Sequence, residues 1–176
     1  PPRSTLSSSS AASDVYKRQE WDQAIKHFQK ENKLARNTGN QNLVAWTLFN
    51  GAEALVQSGD LVEAKDDLEE AEVLLEQMGD NVGFLAVQRV WGMYHTNAGN
   101  FGKAVSYFEK ARKMALELGL PSDIADLDYR MGEMCQKMGD TDSARIHFKR
   151  SVNTFRDIGA EAEQRRSQKA LDDLDK

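Results

Sequence analysis

Apolar residues recur along most of the chain at helical rather than alternating spacing. In residues 101–118, FGKAVSYFEKARKMALEL, Ala104, Val105, Phe108, Ala111, Ala115 and Leu118 follow one another at steps of one, three or four. Side chains three and four apart share a face, so this spacing draws a single apolar stripe along a helix. Segments of this kind are punctuated by Gly39, Gly59, Gly79, Gly99, Gly119, Gly139 and Gly159, one glycine every 20 residues. At a background glycine frequency of about 7%, chance produces such a series with a probability on the order of 10⁻⁷, so the spacing is a repeat. Glycine takes the left-handed conformation that ends a helix. The Asp or Asn that follows in Gly59-Asp60, Gly79-Asp80, Gly99-Asn100 and Gly139-Asp140 can cap the next helix. The pattern predicts helix, tight turn, helix, with a period of 40 residues made of two 20-residue halves.

The two halves differ. After Gly59, Gly99 and Gly139 come Ala64, Ala104 and Ala144, then Leu68, Phe108 and Phe148, then Ala71, Ala111 and Ser151. Seven residues before those glycines stand Ala52, Gly92 and Gly132. Small residues at these places let the two helices of a pair approach closely. The large residue at 68, 108 or 148 is expected to fill the gap between pairs. Ala24 and Phe28 continue the series one period earlier without its glycine. This small–Gly–Ala–aromatic series resembles the tetratricopeptide repeat over roughly residues 20–158, with a period of 40 in place of the family's usual ~34. The resemblance implies an all-α fold, a right-handed α-solenoid of antiparallel helix pairs wound into a superhelix. HEAT and armadillo repeats share the period but lack the series.

A helix pair cannot bury its apolar face alone, so pairs must stack. Three complete pairs are read at residues 41–78, 81–118 and 121–158. Residues 20–38 read as the second helix of an earlier, truncated pair. Ala24 and Phe28 would then lack a covering helix, which predicts fraying at that end. Residues 160–174, AEAEQRRSQKALDDL, are more polar and look like the solvating cap that closes such arrays.

Residues 1–19 stand apart. They hold two of the three prolines and six serines between Ser4 and Ser13, with no amphipathic period, and are expected to be disordered. Ser9 to Gln19, SSAASDVYKRQ, looks like the translation of a transposase adaptor used in DNA sequencing libraries, so residues 1–19 are expected to be a non-native leader. Without Arg3, Asp14, Lys17 and Arg18, the net charge of −5 becomes −7, from 20 basic and 27 acidic residues. Net acidity argues against nucleic acid as the main partner. No run of about 18 apolar residues exists, which argues against a membrane span. A single cysteine excludes an intrachain disulfide framework and a cysteine-based zinc site. The chain reads as cytoplasmic.

Catalytic chemistry finds no support. The glycines sit at helix ends with no strand before them, so no phosphate-binding loop forms, and neither HExxH nor paired CxxC occurs. No cofactor or metal is expected. His27 and His147 occupy equivalent positions beside Phe28 and Phe148, expected on the outer face. His95 is expected to pack, and Cys135, one repeat on, reads as a small buried hydrophobe. The acidic run Asp66, Asp67, Glu69, Glu70, Glu72 reads as a solvated face, with a cation or basic-peptide site as the minority reading. The basic stretch Arg165-Arg166 to Lys169 is interleaved with acids and lacks aromatics, so no nucleic-acid surface is read there.

In tetratricopeptide arrays the first helices of each pair line a concave groove. The resemblance therefore implies a partner groove lined by Trp46, Phe49, Glu53 and Val56 in the first pair. Arg89, Met93, Thr96 and Asn97 would follow in the second, and Asp126, Tyr129, Glu133 and Gln136 in the third. Members that hold chaperone C-terminal carboxylates carry Lys, Asn and Arg at set groove positions. Here Phe49, Glu53 and Asp126 stand there with only Arg130 basic, and acids repel a carboxylate, so that specialisation is rejected. The expected function is non-catalytic: a scaffold or regulatory array that binds a protein or peptide in its groove. The alternatives are a regulatory or sensor segment of a larger signalling enzyme or transcription regulator whose other domain lies upstream, a peptide-pheromone receptor, and self-association through stacked ends.

Overall fold

The computed structural model describes residues 6–175, with side chains from Arg18 onward. Among the described residues there are eight helices and no strand: α1 (Leu6–Asn37), α2 (Gln41–Ser58), α3 (Leu61–Met78), α4 (Asn81–Asn97), α5 (Phe101–Leu118), α6 (Pro121–Met138), α7 (Thr141–Asp157) and α8 (Glu161–Asp173). Each helix from α1 to α7 is followed by one of the seven periodic glycines, all at φ between 67° and 96°. Gly119 shows why the residue must be glycine. Its N–H reaches back to the carbonyls of Ala115 and Leu116 at a φ of 67°, where a Cβ would be strained. The caps are less uniform than the spacing suggests. Asn40, Asp80 and Asp140 accept from the amides of Leu43, Gly83 and Ser143, but Asp60 and Asn100 make no such bond. Asp60 instead accepts from the Ser58 hydroxyl at 2.9 Å.

The chain divides into two compact units, one ending at Gly79 and the other beginning at Asp80. In the first unit α2 packs against both α1 and α3. Ala52, Ala64, Leu68 and Ala71 have no exposed surface, so the small–small–large series forms the α2–α3 contact. On α1, Ile25 and Ala35 are buried, while Ala24 and Phe28 are half-buried. The Phe28 ring meets Trp46 of α2 edge-on at 5.8 Å. Helix α1 begins at Leu6, although residues 6–19 carry no apolar stripe that predicts one. Residues 1–5 lie outside the described residues. Ser and Ala oppose a helix only weakly, and extending one that is already nucleated adds a hydrogen bond per residue fixed.

In the second unit α4 packs on α5, α5 on α6, α6 on α7 and α7 on α8, and α4 also touches α6. Phe108, Phe148 and Phe155 are almost wholly withdrawn from water, each contributing roughly 2–3 kcal/mol of apolar burial. The rings of Phe108 and Phe148 also have a partner within their own pairs. Each lies on the glycine of its own pair, Phe108 over Gly92 and Phe148 over Gly132. Replacing the side chain at 92 and 132 by hydrogen makes room for a whole ring between the two helices. The polar α8 is fixed by Ser167, whose hydroxyl meets that of Ser151 at 2.9 Å with both residues fully buried.

Candidate functional site

The first helix of each pair carries the residues expected to meet a partner, and the structure sorts them by exposure. In the first unit Trp46 is 47% exposed and braced by Phe28 and Phe49, at 5.8 and 6.5 Å. Phe49 is 8% exposed and Val56 is not exposed at all, so both belong to the core. Glu53 is half-buried. Valine at 56 falls on the inward side because Ala52, Leu55 and Val56 close the same helical turn.

In the second unit Met93 and Thr96 are also core residues, at 6% exposure each. The Thr96 hydroxyl donates to the Gly92 carbonyl one turn back at 2.8 Å, which satisfies it inside its own helix. Asn97 and Gln136 are exposed, and Asn97 Oδ1 accepts from Lys137 Nζ across α4 and α6. The remaining four residues gather around one carboxylate. Asp126 receives Arg89 from α4 at 3.0 Å and Arg166 from α8 at 2.6 Å, with Arg130 of its own helix at 3.7 Å. Arg130 in turn meets Glu133 at 3.2 Å. Arg166 lies over the Tyr129 ring with its guanidinium carbon 4.1 Å from the centroid. Asp126 and Arg166 are 40 residues apart, so they hold equivalent places in successive first helices.

Burial works to raise the Asp126 carboxyl, but Arg130, Arg89 and Arg166 outweigh it and hold it below its ordinary value. The Tyr129 hydroxyl is pushed up to about 12, by burial first and then by Glu133. Both groups therefore keep one charge state across the neutral range. The cluster offers a charged, partly exposed face: the side chains of Arg166 and Glu133 are 41% and 38% exposed. It has the composition for hydrogen bonding and aromatic contact with a peptide.

Arg166 joins this face from a basic stretch whose local sequence, interleaved with acids, does not mark it. The 40-residue register from Asp126 is the signal that finds it. His147 also corrects the sequence reading. Its side chain is only 17% exposed, and Nδ1 lies 3.0 Å from Oδ1 of Asp128, a carboxylate 3% exposed. A hydrophobic-pattern reading places Asp128 nowhere, because it is an acid on the buried side of α6. His27, at 66% exposure, is on the surface as expected. His95 packs beside Trp91 and Tyr107, nearly parallel to both rings at 5.9 and 5.2 Å, and those two rings lie 5.8 Å from each other. Burial, helped by Lys103, lowers its pKa and favours the neutral ring. Cys135 is buried at 7% exposure, and burial, with Asp140, raises its thiol pKa, which suits an inert side chain.

No protein-family model matches the chain, and no curated protein sequence matches it. Among solved structures the chain is similar to the crystal structure of BtubC (BKLC) from P. vanneervenii. The TM-score is 0.68 at 17% identity, over 88% of this chain and 65% of that one. At that identity the likeness shows the fold alone, an all-helical, repeat-like architecture. The chain spans about 65% of the length of this neighbour. No helix among the described residues is long and apolar enough to cross a membrane.

Proposed function

We propose that the chain is a non-catalytic interaction module of the tetratricopeptide kind, a right-handed α-solenoid that binds a peptide or protein segment on the face made by its first helices. The observation that carries this reading is the contact between α4 and α6. Two helices separated in sequence by all of α5 lie side by side, joined by Arg89–Asp126, and α8 extends the row through Arg166–Asp126. Successive first helices thus adjoin, as the tetratricopeptide resemblance implies, and expose Tyr129, Glu133, Arg166 and Gln136 together. Charged and aromatic side chains on a row of rigid helices suit an extended or helical segment with basic residues for Glu133 and an apolar or acidic group for Tyr129 and Arg166.

A random dodecapeptide display library selected on the wild-type chain tests this. Enriched sequences are expected to lose most of their binding to Arg89→Ala plus Tyr129→Ala, whose folding is checked by circular dichroism. Enrichment that the double substitution leaves unchanged rejects this face as the site.

A further inference from the structure

The first unit contains a cavity of about 120 Å³ between α1, α2 and α3. Its apolar wall is Ile25, Phe28, Leu48 and Leu55, and one side carries the carboxylates of Glu63 and Asp67, a helical turn apart on α3. The neutral polar groups of the wall are already committed to each other. Asn32 Nδ2 donates to Thr47 Oγ1 at 2.8 Å and to the Val44 carbonyl at 3.2 Å, and Thr47 donates to the carbonyls of Leu43 and Val44. Gln29 reaches Glu63 at 2.8 Å on the exposed side. From α2 the lining is Thr47, Leu48, Gly51 and Leu55, none of them charged.

Charge around Asp67 is one-sided. Glu63, Glu70 and Asp66 stand near it on α3, and among the described residues the cation acting on it from α1 is Arg36. Arg36 is turned to Glu70, donating to both of its oxygens at 2.8 and 2.7 Å. Burial, followed by Glu63 and Glu70, pushes the Asp67 carboxyl up to about 6. A half-buried carboxylate in a negative field beside an apolar hollow matches a cation with an apolar stem.

We propose that this cavity binds a primary ammonium group on a short aliphatic stem, with Asp67 and Glu63 accepting its hydrogen bonds. The hollow is open to solvent, so its volume bounds only the part of the ligand held inside: against the roughly 150 Å³ that holds benzene, about 120 Å³ admits roughly five heavy atoms, four carbons and a nitrogen. An ammonium is a compact charge with three donors, whereas a guanidinium is wider and needs its five donors met. A metal ion does not fit the walls, because no group of three His, Cys, Asp or Glu is gathered for one among the described residues. The four-carbon ammonium is shared by small free amines and by the end of a lysine side chain. The site lies in the first unit and stands independently of the face proposed in the second.

The test is titration of the isotope-labelled full chain with n-butylammonium at pH 7, followed by amide shifts. Saturable shifts in residues 25–32 and 63–67 are expected, with no comparable response to n-butanol. Asp67→Asn is expected to weaken binding at least tenfold and Glu63→Gln to weaken it less. Lowering the pH from 7 to 5 protonates Asp67 and is expected to weaken wild-type binding about tenfold. Nα-acetyl-lysine methylamide distinguishes the two sources: equal or tighter binding assigns the site to a peptide lysine, and binding of n-butylammonium alone assigns it to a free amine. The proposal is overturned by absence of saturable shifts at tens of millimolar ligand, by an equal response to n-butanol, or by unchanged binding to Asp67→Asn.

Discussion

A Cβ on Gly132 would lie 2.6 Å from Cε1 of Phe148, closer than side-chain carbons approach, so the ring and the glycine specify one another. The same relation joins Gly92 and Phe108 one repeat earlier. Gly132→Ala is therefore expected to cost about 1–3 kcal/mol, read as a lower urea midpoint. Adding Phe148→Leu should recover part of that loss, because a smaller side chain admits the methyl group. Gly102→Ala is the control: nothing lies within 4 Å of its Cβ position, in a helix. It should be neutral or stabilise by up to roughly 0.5–1 kcal/mol.

Asp126 is shared by three arginines, and removing it takes the one carboxylate that Arg89, Arg130 and Arg166 have in common from the junction of α4, α6 and α8. Asp126→Ala should cost about 2–3 kcal/mol, somewhat below the figure for fully buried pairs because its side chain is 21% exposed. Arg166→Ala removes a half-exposed partner and should cost only about 0.5–1 kcal/mol. The folded carboxyl is held below its ordinary 3.8. Its stabilisation is therefore fully present above pH 4 and is lost as the pH falls through the lower folded value. Acid denaturation followed by circular dichroism should show a shallower decline below pH 4 in Asp126→Asn than in wild type.

Asp67 has the opposite sign. Its folded value of about 6 exceeds the ordinary 3.8, so the folded state holds the proton more tightly. Stability drawn from this group falls as the pH rises from 4 through 6. Asp67→Asn should stabilise the chain by roughly 1–2 kcal/mol at pH 7, after a discount for residual solvent, and make no difference near pH 4. Urea midpoints at the two pH values check this.

The Ser151–Ser167 hydroxyl pair is fully buried between α7 and α8. Either Ser→Ala substitution alone leaves a buried hydroxyl without its partner and should cost about 1–3 kcal/mol. The double substitution should cost less than the sum of the two. A thermal-melt double-mutant cycle measures the difference.

The turns were legible because left-handed glycine is a local requirement, visible at Gly119 without any knowledge of its neighbours. The core series was legible for the same reason of period: Ala64, Leu68, Ala104, Phe108, Ala144 and Phe148 all lose their exposure. The spacing says that Phe148 faces inward but not that its ring lies on Gly132 of its own pair, because that contact is a pairing between two helices. Of the residues expected to line the groove, Phe49, Val56, Met93 and Thr96 are buried, while Trp46, Asn97 and Gln136 are exposed. Phe49 and Tyr129 stand two periods apart in the sequence, as Thr96 and Gln136 stand one apart, yet the first of each is buried and the second is not, so the period alone does not set exposure. Asp128 with His147, and Arg166 with Asp126, escaped because each is a pairing across helices that hydrophobic pattern does not encode. The helix over Leu6–Gln19 runs against the composition of that segment, which lacks the apolar stripe that predicts one.

The central claim is that a peptide sits on the first helices of the second unit. Hydrogen exchange, compared with and without a peptide enriched from the display library, tests it most directly. Added protection is expected in α4, α6 and α8 around Arg89, Tyr129 and Arg166, with α5 and α7 unchanged. Protection confined to α5 and α7 would contradict it.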